Sequence, residues 1–198
     1  MVAAKKSQDS HSLPNTGQQA EVCAPINCRT LIVGYGNPDR EDDGVAWHIL
    51  RALANHLQRD VIELEYEADP AGPSPHLAFM LQLTPEMSET IASYDYVCFI
   101  DAHTGAFEEE IRFDRVLADF QASPFTHHLT PSACVAMSDT LYGHAPHTVL
   151  LSIRGYEFGF GQTLSPRTEA LALRAGQMVF KWLHIPDADP CVLLAESK

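Results

Sequence analysis

The chain is poor in positive charge, in paired cysteines and in long apolar runs. Lysine and arginine number 13 against 26 aspartates and glutamates, a formal net charge of -13. Such a field repels a phosphate backbone, which argues against nucleic acid as a partner. No apolar run reaches the length of a membrane span, and the longest, such as Tyr96 to Ile100, are strand-sized. Met1 to Gln19 is polar and lacks an apolar h-region, so no secretory signal is expected. The five cysteines, Cys23, Cys28, Cys98, Cys134 and Cys191, are odd in number and form no CxxC pair. That argues against a disulfide framework and against a thiolate zinc knuckle, and it points to the reducing cytoplasm. There is also no G-x-S-x-G elbow and no H-E-x-x-H helix.

What is present fits one globular domain. The 198 residues are 45% hydrophobic and 20% charged, enough for a real core. Roughly the first 25 residues are rich in Gly, Ser, Pro, Asn and Gln and read as a disordered or weakly docked extension. Thr30 to Gly34 is a buried strand by its apolar run. A glycine-containing turn follows to Gly44, and Val45, Ile49, Leu50, Leu53 and Leu57 then recur at helical spacing. Strand, turn and helix in this order open a parallel α/β fold.

Val61 to Glu67 alternates as a second strand, and Ala71 to Pro75 is a loop. His76 to Leu83 and Pro85 to Ser93 are expected as short helices. Tyr94 to Asp101 is a nearly continuous apolar run ending in an acid, as in a central parallel strand. Glu110 to Leu117 has the character of an edge strand. Thr130-Pro131 and Ser165-Pro166 each place a hydroxyl before a proline, a helix-start signal. The first of these helices should stop at Gly143. The second carries Leu171, Ala175, Met178, Val179 and Trp182 on one face, after a strand over Thr148 to Ile153.

Three segments carry residues suited to chemistry. Gly34-Tyr35-Gly36-Asn37-Pro38 leads to Asp42-Asp43-Gly44. It begins like a dinucleotide turn, but Asp39 stands at the third glycine position of G-x-G-x-x-G, and the neighbouring acids would repel a pyrophosphate. For Asp42 and Asp43 alone, helix capping explains the pair well. Asp101 ends a central strand, where open α/β sheets bind ligands, or it simply forms a turn. Thr126-His127-His128-Leu129 precedes a helix start, and taken alone it reads better as a polar surface loop. Together, two carboxylates and an imidazole make an incomplete cation cage, and nickel, zinc or iron would accept that donor set. Cys134 lies on a predicted helix, so a Cys-His dyad has no turn to support it.

In these segments the chain resembles the nickel-iron hydrogenase maturation protease family. The matching features are the strand into G-x-G-N with its paired acid (Leu31 to Gly44) and the strand ending in Asp-Ala (Val97 to Ala102). The Thr-His-x-Leu loop (Thr126 to Leu129) and the strand and turn before the last helix (Val149 to Pro166) complete the set. The resemblance spans about Arg29 to Leu183. It implies an α/β fold in three layers, a mostly parallel twisted sheet with helices on both faces, in phosphorylase/hydrolase-like, Rossmann-like order. It implies a peptidase domain over 29–185, a flexible extension over 1–28 and a tail over 186–198.

The family's metal ligands carry over to Asp43, Asp101 and His127. His127 is preferred to His128 because it follows Thr126 and precedes x-Leu. Asp43 and Asp101 are then also the catalytic acids, with Asp42 a spare proton acceptor. The implied activity is cleavage of a hydrogenase large-subunit precursor near its C-terminus after nickel insertion, with nickel supplied by the substrate and no nucleotide. A cytoplasmic monomer without nucleic-acid or membrane partners is expected. Two other readings stand beside it: a non-catalytic, nickel-dependent chaperone or checkpoint that binds the loaded subunit, and an acidic Rossmann-like nucleotide binder, which Asp39 counts against.

Overall fold

A computed structural model describes residues 28–63, 73–105, 107–120 and 129–190. The elements are β1 (Thr30–Tyr35), a 3-10 turn (Glu41–Gly44), α1 (Val45–Leu57), β2 (Val61–Glu63) and β3 (His76–Met80). They continue with α2 (Met87–Ile91), β4 (Tyr96–His103), β5 (Ile111–Val116), α3 (Pro131–Tyr142), β6 (His147–Arg154) and α4 (Pro166–His184). The six strands form one sheet in the order β2-β3-β1-β4-β6-β5. All neighbours are parallel except β5, which closes one edge antiparallel to β6.

Alternation along the central strands makes three layers. Ile32, Cys98, Ile100 and Leu151 face α1 and α4, whose Ile49, Leu50, Met178 and Trp182 complete a buried core. Leu31, Val33, Val97 and Phe99 face the opposite side, against Met87 and Ile91 of α2 and Cys134 and Val135 of α3. Burial of each Leu, Ile or Phe side chain contributes roughly 1.5–3 kcal/mol, so the doubly covered strands anchor the fold.

Both Pro-preceded helices begin at the expected hydroxyl. Thr130 accepts a hydrogen bond from the Ala133 amide and Ser165 from that of Thr168. Gly143 ends α3 at φ 69°, a left-handed conformation that glycine adopts without steric cost.

One expectation is overturned. His76 to Leu83 is not a short helix, because His76–Met80 is β3, between β1 and β2 in the sheet. Leu77 and Phe79 enter the core of one face while Ala78 enters the other. A strand covered on both sides loses the polar-apolar alternation that marks a strand in sequence, and so short a run does not separate from a helical turn by periodicity. The Pro85 to Ser93 helix is present in shortened form as α2. Of the second strand, the part beyond Glu63 lies outside the described residues, as does nearly all of the N-terminal extension and most of the C-terminal tail.

Candidate active site

In a parallel sheet every strand delivers its following loop to the same edge, and β1, β4 and β6 deliver three loops side by side at their carboxyl ends. The loop after β1 turns sharply. Gly36 has φ 132°, and a Cβ there would meet the Asp43 carbonyl oxygen at 2.3 Å, so only glycine lets the chain fold back on itself. The Asn37 side chain caps this turn by accepting from the Asp39 amide at 3.0 Å. The Asn37 amide in turn donates to Asp43 Oδ2 at 3.1 Å, which fixes the half-buried Asp43 side chain at the start of α1.

Asp101 sits one residue beyond the last β1–β4 register pair, Gly34 with Ile100, and therefore beside Tyr35. Its Oδ1 accepts from the Ala102 amide at 2.7 Å. The Tyr35 hydroxyl donates to the same carboxyl group. Burial is the largest influence on this acid and raises its pKa, the charge of Asp43 raises it further, and the two hydrogen bonds pull it partly back. The outcome is a pKa of about 7 against an ordinary 3.8. Tyr35 is pushed well above its own ordinary value, chiefly by burial and then by the charge of Asp101. Asp43 and Asp101 thus come together at the carboxyl edge, and among the described residues neither forms an ion pair with a basic side chain. Two neighbouring carboxylates short of positive charge have the electrostatic character of a cation site.

Asp42 has a different role from the spare proton acceptor expected of it. It is fully buried, and its carboxylate accepts from the amides of Tyr156 (2.8 Å), Glu157 (2.9 Å) and Ser165 (2.7 Å). The hydroxyls of Ser165 (2.7 Å) and Thr168 (2.7 Å) also donate to it. Burial alone would raise its pKa, but these donors outweigh burial and hold it below the ordinary value. With its lone pairs engaged, Asp42 has no capacity left for a reacting proton. It ties the loop after β1 to the connection between β6 and α4.

Neighbouring bonds tighten the same seam. The Glu41 amide donates to the Gly161 carbonyl at 2.7 Å, the Gly161 amide to the Asp39 carbonyl at 3.0 Å, and the Gly159 amide to Glu41 Oε2 at 2.6 Å. Asp39, which stands where a dinucleotide turn needs glycine, also accepts from the Gln162 side chain at 2.6 Å.

Leu129 and Thr130 open α3, and α3 leads down to the start of β6, so the helix begins at the carboxyl edge. His127 and His128 lie outside the described residues. Among the described residues, no three His, Cys, Asp or Glu side chains form a ready cation cage. Cys134 is buried in α3 and burial pushes its thiol up to about 12, so it stays protonated and poorly nucleophilic at neutral pH. Cys98 is likewise buried, with its pKa raised by burial.

Tyr35 is the participant that sequence reading passed over. It lay inside the recognised glycine turn, and its only signal was its position at the end of a strand that would pair with the strand of Asp101.

No protein-family model matches the sequence, and no curated protein matches it. Solved structures do share the fold. The chain is similar to the [NiFe] hydrogenase maturation protease HycI from Thermococcus kodakarensis KOD1, with 18% identity over 80% of this chain and 94% of that one, at a TM-score of 0.57. It is similar to an endopeptidase from Escherichia coli known from a solution structure, with 19% identity over 81% and 95% and a TM-score of 0.56. The hydrogenase maturating endopeptidase HybD from E. coli is 19% identical over 76% and 89%, with a TM-score of 0.55. At such identities the likeness establishes a common fold, and what the fold does here rests on the residues at its carboxyl edge.

Proposed function

We propose that the chain is an endopeptidase, a hydrolase that removes the C-terminal extension of a nickel-iron hydrogenase large-subunit precursor after nickel insertion and so completes its maturation. The observation that carries this reading is the acid pair. Asp43 and Asp101 meet at the carboxyl edge, without basic partners, on a fold shared with maturation proteases.

The donor set suits a divalent cation of the nickel type, carried by the substrate. Asp43 and Asp101 offer oxygen ligands, and His127, two residues before Leu129 in sequence, is proposed as the third ligand. A pKa of about 7 at Asp101 means that the free enzyme holds a carboxyl group whose charge lacks compensation, and a bound cation supplies it. When bound, the metal polarises the scissile carbonyl or a water. The Tyr35 hydroxyl and the Ala102 amide hold Asp101 in place, and Asn37 holds Asp43. A carboxylate that ligates through one oxygen keeps the other to accept the proton of the attacking water. Because the metal itself arrives with the precursor, an empty large subunit leaves the enzyme idle.

Cytoplasmic location and a monomeric state belong to the same proposal. Among the described residues, no helix is long and apolar enough to cross a membrane.

Incubating the chain with nickel-loaded precursor and weighing the product tests the reading. The expected result is loss of the C-terminal extension from the loaded precursor and none from the nickel-free one. Equal cutting of both would overturn the substrate-borne role of nickel. Binding of the loaded precursor without any cutting would favour the checkpoint reading instead.

A further inference from the structure

Large apolar side chains left in water are a cost unless something covers them. Among the described residues Phe160 is the most exposed large hydrophobic, at 97%. It occupies the tip of the connection from β6 to α4, and both of its neighbours are glycines. Those glycines are tied down: the Gly159 amide to Glu41, the Gly161 carbonyl to the Glu41 amide and the Gly161 amide to Asp39. Glu41 and Asp39 belong to the turn that carries Asp43 and the fully buried Asp42. The phenyl ring therefore stands on a fixed pedestal beside the candidate site, and it touches nothing that needs it for folding.

Two other exposed apolar side chains share this edge. Leu81, 63% exposed, follows β3, and Phe107, 43% exposed, follows β4. Three separate connections thus present apolar groups at the edge that carries the acid pair. The exposed charges on these connections are more acidic than basic: Asp39, Glu108, Glu109 and Glu157 stand against Arg40 and Arg167, the latter paired with Glu110, while Arg112 lies over the Phe107 ring.

We propose that this edge is a protein-docking surface, with Phe160 as its anchor and the precursor substrate as its occupant. The inference rests on the endopeptidase reading. A ring with only two side-chain torsions, fixed at its base, loses little entropy when it enters a pocket. The glycines on either side hold the pedestal close to the first loop, since a Cβ at Gly159 would meet the Glu41 carboxylate at 3.0 Å. The chemistry of the partner follows by complementarity: an apolar socket bordered by lysine and arginine, close enough to the cleavage site to be engaged while the peptide lies at Asp43 and Asp101. A second copy of this chain is the lesser fit. It would cover the carboxyl edge that the substrate must reach, and its own rim is acidic like the first.

The test uses the full chain and purified nickel-loaded precursor, with binding and cleavage measured separately. Phe160→Ser should leave the melting temperature unchanged, because the ring packs against nothing. It should weaken precursor binding by about 30-fold, the scale of an interface anchor, raising KM with kcat preserved. Binding should also weaken with added salt, and more so for the wild type than for an Asp39→Asn, Glu157→Gln variant.

Unchanged affinity in Phe160→Ser, with cleavage intact in the wild type, overturns the docking surface and leaves the endopeptidase reading standing. Phe160-dependent binding without cleavage supports the surface and overturns the peptidase activity. If the wild type neither binds nor cuts the precursor, both fall. Dimerisation seen in sedimentation and abolished by Phe160→Ser assigns the surface to a second copy and overturns the proposal as stated.

Discussion

Asp42 and Asp101 are aspartates at the carboxyl edge of one sheet, yet they behave as opposites. Asp42 is fully buried and surrounded by donors from Tyr156, Glu157, Ser165 and Thr168, and its pKa lies below the ordinary value. Asp101 is less deeply buried, but it has Tyr35 and Ala102 as donors and Asp43 as an unfavourable neighbour, and its pKa is raised to about 7. Burial penalises both charges, and the supply of donors decides the sign. A carboxylate whose lone pairs are satisfied is a fastening. A carboxylate left short is available to a cation or a proton.

The sharpest break in this comparison is Asp42→Ala. Removing the acceptor strands three backbone amides in a buried seam, and a destabilisation of about 3–5 kcal/mol is expected. Urea unfolding measures it. A loss below about 1 kcal/mol would mean that water replaces the carboxylate and that Asp42 is no fastening.

Asp101→Asn should do the reverse. It keeps the shape, removes the charge and should lower cleavage of the loaded precursor by roughly a hundredfold or more, while the melting temperature near neutral pH does not fall. The sign of the pH dependence follows from the shifts. The folded pKa of Asp101 is raised, so its contribution to stability is fully present below the ordinary 3.8 and is lost as pH rises through about 7. Asp42 is depressed, so its contribution is present above the ordinary value and is lost as pH falls below it. Wild type should therefore lose stability relative to Asp101→Asn between about pH 4 and 8, measurable by denaturant titration at several pH values. A gap that widens in favour of the wild type over that range would reverse the assignment.

Tyr35→Phe gives the smallest effect and the finest test. The ring keeps its edge contact with Phe99, 6.4 Å between centroids, and only the donor is removed. The Asp101 pKa should then climb further above about 7, read from its carboxyl carbon resonance. A fall, or no movement, would remove Tyr35 from the account.

The sheet was largely readable in advance, because β1, β4 and β6 are apolar runs with turn signals and both Pro-preceded helices announce their caps. β3 does not stand out in the sequence because it is covered on both faces, so its five residues lack the alternation that separates a strand from a turn of helix. The role of Asp42 was hidden for a different reason. Its donors lie 114 to 126 residues away in the chain, so no local pattern holds them. Asp43, beside it in sequence, could be singled out by resemblance, but which of two adjacent acids turns inward is set by the distant β6–α4 connection. Tyr35 carries no local signal, because its partner depends on strand order.

The seam around Asp42 also dictates a schedule. The first loop of the sheet is synthesised early, but its fastenings, Tyr156 through Thr168, emerge from the ribosome only after most of the chain. Contacts so far apart form late and slowly, since a long stretch of chain must be closed before they yield any stabilisation. Until the start of α4 arrives, Asp42 has neither its cover nor its donors, and the turn beside it lacks the fastening that sets Asp43 next to Asp101. A nascent or truncated chain lacking α4 therefore carries the acid pair in its sequence without the means to assemble it.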